Sequence, residues 1–165
     1  MTTIGQLSFG EVIKRAVIAG AVGGFAEIVW VSLYASLTGG DAAVIARGVT
    51  TAVGINAMLP SLSVGTGIVV HQVLAVLLGL PVVLVWQAAG KRFGLGGGYA
   101  AVVASLACVW VINFFVLLPL ISPPFITMLP YAVSLTSKLL FGLSTAETLR
   151  RFAMADAMQP ALATK

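Results

Sequence analysis

Residues 66–87 read TGIVVHQVLAVLLGLPVVLVWQ, a stretch without Lys, Arg, Asp or Glu. At ~1.5 Å rise per residue, about 20 such residues cross the ~30 Å hydrocarbon core of a bilayer. The uncharged run around it extends over residues 48–90, and a second one occupies 93–137. In the 165-residue chain, 59% of side chains are hydrophobic and 8% are charged, with a mean hydropathy of +1.08. Soluble globular domains carry about 25% charged residues, so that class is excluded. The net charge of +4 comes from scattered cations, and no basic block points to nucleic acid as a partner.

Working outward from 66–87, three more crossings are predicted, over residues 16–37, 98–120 and 129–149. A closed barrel would need many short strands of alternating polarity, which these continuous apolar runs lack. The fold class is therefore all-α, a polytopic four-transmembrane-helix bundle over residues 1–151 with a cytoplasmic tail at 152–165. In the first external loop Asp41 is suited to an N-cap, and the apolar residues after it predict a short interfacial helix that stops before Pro60. The second external connection, 119–130, is proline-rich yet apolar and is expected to dip into the interface or pack on a neighbour. In the tail, Gln159-Pro160 marks an expected helix break.

Orientation follows from the cations. Lys14, Arg15, Lys91, Arg92, Arg150, Arg151 and Lys165 fall on one side, which places both termini in the cytoplasm. Trp30, Trp86 and Trp110, with Tyr34, Tyr99 and Tyr131, read as interface anchors. Helices in lipid associate through close contact between small residues. Ala16, Gly20 and Gly24 in the first span and Ala100, Ala104 and Cys108 in the third are spaced for that role. Cys108 is the single cysteine, so an intrachain disulfide is excluded and packing is its simplest use.

Ionisable groups inside a bilayer are costly and therefore informative. Counting at ~1.5 Å per residue puts Glu27 roughly 15 Å from the outer end of the first span and Lys138 roughly 14 Å from that of the fourth. Opposite charges at one depth predict a buried Glu27–Lys138 pair. His71 and Asn113 fall in the same outer half, so each helix contributes one polar group to a cluster of Glu27, His71, Asn113 and Lys138. Two readings stay open: a proton or ion relay, or a set of polar contacts that fixes helix register.

Several of these features together resemble the YagU-like family of small bacterial inner-membrane proteins. They are Ala19-Gly20 followed by Glu27, the histidine of the second span, the small-residue third span and its exit. That exit runs through Leu118-Pro119-Leu120, Pro123-Pro124-Phe125 and Leu129-Pro130-Tyr131, and Arg150-Arg151 ends the last helix. The resemblance covers about residues 15–151. It implies a four-helix inner-membrane protein with no established enzymatic activity, linked to acid-stress tolerance, and it carries over Glu27 and His71 alone. Lys138 stands outside the family pattern.

No paired carboxylates, Ser-His-Asp set or Cys/His metal spacing occurs, so no enzyme, metal site or cofactor is expected. The first functional reading is a non-enzymatic accessory or structural subunit, embedded in the bilayer and packed against other membrane subunits or further copies of itself. The runner-up is a small proton or ion channel or transporter. A cofactor-binding membrane anchor through His71, the single histidine, comes third.

Overall fold

The structure is a computed structural model that describes residues 7–55 and 63–163. It is helical throughout, with no strand among these residues. Helix α1 spans Phe9–Thr38, α2 Ala42–Ala52, α3 Ser63–Ile112, α4 Leu118–Ile121, α5 Pro123–Ile126 and α6 Tyr131–Ala163, and a π-helical turn at Asn113–Leu117 joins α3 to α4.

Local signals set the boundaries. Ser8 caps α1 by accepting the Glu11 N–H at 3.3 Å, and Gly39 ends the helix in the left-handed region at φ 71°. Asp41 starts α2 by accepting the Ala43 N–H at 2.8 Å. Gly94, at φ 72° and ψ −173°, interrupts α3, a conformation that glycine adopts without a Cβ penalty. It divides α3 into arms 63–93 and 95–112, which fold back on each other so that Trp86 lies against Gly98.

Four long segments, α1, the two arms and α6, pack side by side with alternating direction. Gly20 of α1 lies against Ala75 and Val76, and Gly79 against Ala16, so α1 runs antiparallel to arm 63–93. A Cβ on Gly20 would stand 2.6 Å from the Ala75 carbonyl oxygen, which makes glycine necessary for this approach. On the other side of α1, the Trp30 indole donates to the Val133 carbonyl at 3.0 Å and Thr145 donates to that of Ala19 at 3.1 Å. Between arm 95–112 and α6, Gly142 meets Val103 and Leu106, and Trp110 donates to Ser134 at 3.1 Å.

Each segment buries one stripe, as a helix facing a core must. Arm 95–112 buries Gly98, Val102, Leu106 and Trp110, and α6 buries Ser134, Ser137, Phe141, Thr145 and Leu149. The stripe Ala100, Ala104 and Cys108, expected to pack, is instead exposed on the opposite side of its helix. The bulky residues two positions away fill the interior, and a helix cannot turn both faces inward. Ala16, Gly20 and Gly24 are buried. Trp86 is no interface anchor either, since it is 1% exposed inside the core where Gly98 leaves it room.

Two runs, Phe9–Thr38 and Val64–Ile121, are long and apolar enough to cross a membrane, and the second contains the Gly94 break. α1 begins seven residues before the expected start at 16, because the cap at Ser8 lies further upstream. α6 does not break at Gln159-Pro160 but continues to Ala163. One turn before Gln159-Pro160, Asp156 pairs with Arg15 at 2.7 Å, and the Arg15 guanidinium also lies 5.3 Å from the Phe152 ring centre. α2 lies where a short helix is expected; Pro60 and Lys165 fall outside the described residues.

Replacing Gly20 or Gly79 by Val should destabilise the folded chain by about 1–3 kcal/mol through overpacking. Gly96→Ala, where nothing lies within 4 Å, should be neutral or stabilising. Denaturant titration in detergent, followed by tryptophan fluorescence, measures the difference.

Candidate functional site

Glu27 sits on the buried stripe of α1 that also contains Gly20, Gly23 and Gly24, and it is 5% exposed. These glycines bring α1 close to both neighbours and leave the carboxylate to be satisfied by side chains from them. Lys138 of α6 reaches both of its oxygens, Nζ lying 2.8 Å from Oε1 and 3.1 Å from Oε2. Ser137, one residue earlier, donates to Oε1 at 3.3 Å. The ammonium also lies 5.0 Å from the Phe141 ring centre, a second favourable contact for a desolvated cation.

His71, from arm 63–93, approaches the same carboxylate, with Nε2 3.6 Å from Oε2. That distance is beyond a hydrogen bond, and Nε2 is buried without a partner. Asn113 opens the π-helical turn and makes no hydrogen bond to another described side chain or backbone group outside its own helix. It joins the other three residues in lining one chamber. The structure thus gathers Glu27, Lys138 and His71 into direct proximity and leaves Asn113 on the chamber wall.

The chamber has a volume of about 640 Å³ and occupies the half of the bundle nearer α2. α1, both arms of α3, the π-helical turn and α6 form its sides, and α2 lies across it through Ile45, Ala46 and Val49. Close approach of α2 depends on Gly67, where any side chain would run into the Ala46 backbone. Toward the inner end, the chamber gives way to Ala19, Val83, Trp86, Leu106 and Phe141, each at most 1% exposed.

Sequence reasoning missed Ser137 and Gln72. Ser137 lies next to Lys138 but is one of many serines, and nothing in its neighbours marks it as a carboxylate partner. Gln72 donates to the Ala21 carbonyl at 3.4 Å and, with its buried Oε1, lies against Gly24. Its signal was a polar amide in the middle of an uncharged span. Among the described residues no group of three His, Cys, Asp or Glu side chains is arranged to hold a metal ion.

Compared with family profiles, curated proteins and solved structures, the chain matches none.

Breaking a buried ion pair strands one desolvated charge, at a cost of about 3–5 kcal/mol, whereas removing both charges is often neutral. Lys138→Met and Glu27→Gln alone should therefore each lower the amount of folded protein in the membrane sharply. The double variant should recover most of it. Immunoblots of membrane fractions, with unfolding titrations on purified protein, measure both effects; a harmless Glu27→Gln would contradict the role given to the pair.

Proposed function

We propose that this chain is a non-enzymatic, four-span protein of a bacterial inner membrane that acts as an accessory subunit, packing against other membrane subunits or copies of itself. The observation that carries this reading is the unpartnered face of arm 95–112. Gly96, Ala100, Ala104 and Cys108 lie along it at four-residue intervals and are exposed, while the chain's own bundle uses the opposite face. In a bilayer, small residues at this spacing let a second helix approach closely and gain van der Waals contact.

The membrane assignment draws support from the exterior. Phe25, Val69, Leu77 and Phe115 are each more than half exposed on the outer surface of the bundle, where water would be a poor solvent for them. α6 is less apolar than the other segments, but Ser137, Lys138 and Thr145 turn inward and are satisfied by α1. Its crossing is therefore part of the proposal. Lys14, Arg15, Lys91, Arg92, Arg150 and Arg151 gather at the end opposite α2, which favours cytoplasmic termini. Kinship with the YagU-like family belongs to the same proposal and rests on the residues quoted for it.

A channel is the weaker reading. Conduction from Glu27 away from α2 would have to pass the apolar block of Val83, Trp86, Leu106 and Phe141, and the buried Thr145 hydroxyl at that level donates to the Ala19 carbonyl.

Ala104→Phe should abolish association without moving the unfolding midpoint of the isolated chain. The check is mild detergent extraction followed by mass measurement. The wild type should run as an assembly larger than its own 17.0 kDa, and the variant as a monomer. Oxidative trapping through Cys108 separates self-association, which gives a crosslinked dimer, from association with another chain. A monomeric wild type would overturn the proposal.

A further inference from the structure

The chamber beneath α2 is larger than the ion pair on its wall requires. Its volume of about 640 Å³ falls within the roughly 300–1,000 Å³ of sites that hold a small organic molecule. Most of its lining is aliphatic or aromatic, with Ile45, Val49, Ile68, Leu74 and Phe114 among the contributors. A space of this chemistry is suited to an apolar body.

Its polar groups define what kind of head such a molecule can carry. Glu27 and Lys138 are the charged side chains of the lining, and they satisfy each other, with Ser137 adding a third hydrogen bond to the carboxylate. His71 faces this pair through its buried Nε2. A further anion or cation in the chamber would find the matching charge already taken, so a charged head is disfavoured. The hydroxyl of Ser134 is also committed, accepting from Trp110 and donating to the Tyr131 carbonyl. Asn113 also lines the chamber, and its side-chain amide has no hydrogen bond to another described group, an openness shared by the Ser32 hydroxyl and the buried His71 Nε2; of the three, Asn113 alone is an amide, offering both a donor and an acceptor to an uncharged head. It stands at the start of a π-helical turn, a distortion that recurs at functional sites because it displaces side chains from the regular helical register.

We propose that the chamber binds an uncharged lipophilic molecule ending in a carbonyl or hydroxyl group, with that group hydrogen-bonded to Asn113 and the apolar body lying under α2. The site is independent of the outward face of arm 95–112, so it stands whether or not the chain associates with others.

The test uses the full chain in phospholipid nanodiscs and follows thermal unfolding by tryptophan fluorescence. The probes share one fourteen-carbon chain: tetradecan-2-one, tetradecan-1-ol, tetradecanoate, tetradecyltrimethylammonium and tetradecane. Ligands that bind the folded state raise the melting temperature. The ketone, the alcohol or both should raise it more than tetradecane, and the two ions should not; comparing ketone with alcohol identifies the head. Asn113→Leu should weaken binding of the effective probe about tenfold, the worth of one hydrogen bond, to the level of tetradecane. Val49→Phe, which fills the chamber, should abolish the shift, and Ala43→Leu serves the same purpose should the first variant not fold. Equal shifts from the charged probes, shifts that persist in the filled variants, insensitivity to Asn113→Leu, or no shift from either neutral polar probe would overturn the proposal.

Discussion

A carboxylate buried among glycine, alanine and phenylalanine needs a partner of opposite charge, and Lys138 supplies it to Glu27. Its partners all come from other helices: Lys138 and Ser137 from α6, with His71 alongside from α3. Low dielectric strengthens this attraction and equally raises the cost of leaving either charge alone. The pair therefore fixes the relative height of α1 and α6, and the contacts on either side keep the same register. Trp30 meets Val133 toward the outer end, and Thr145 meets Ala19 toward the inner end.

The same interaction divides the bundle. Inward of it, small residues allow close helix contact and the interior is filled by Trp86, Leu106 and Phe141. On the side toward α2, the helices line the chamber that α2 crosses, and the π-helical turn gives its wall the Asn113 amide. Because the two charges cancel, that space is apolar and electrically neutral although a glutamate and a lysine line it. A binding role and a structural role for the pair are thus compatible.

The helical segments were legible because the long runs 48–90 and 93–137 have no charge, and the break between the two arms was marked by Lys91-Arg92 beside Gly94. Depth along a helix was legible too, since counting residues sets it. Azimuth was not. Ala16, Gly20 and Gly24 have the same spacing as Ala100, Ala104 and Cys108, yet the first set is buried and the second exposed. Spacing defines a face, and the bulk of the other residues decides which face turns inward, as Val102, Leu106 and Trp110 do in arm 95–112. Asn113 shows the same limit, sharing the level of Glu27 and Lys138 but not their contact. The chamber could not be read from the sequence, because it arises from helix spacing, the π-helical turn and the position of α2 together.

The interaction that the packing of α1 on α6 depends on is contact between the Glu27 carboxylate and the Lys138 ammonium. Solid-state NMR dipolar recoupling between a ¹³C-labelled Glu27 carboxyl and a ¹⁵N-labelled Lys138 amine, in lipid vesicles, measures it directly. Strong dephasing is the predicted result, because an Nζ 2.8 Å from Oε1 stands within one further C–O bond of the labelled carboxyl carbon. Dephasing no greater than that of an unlabelled-partner control would contradict it.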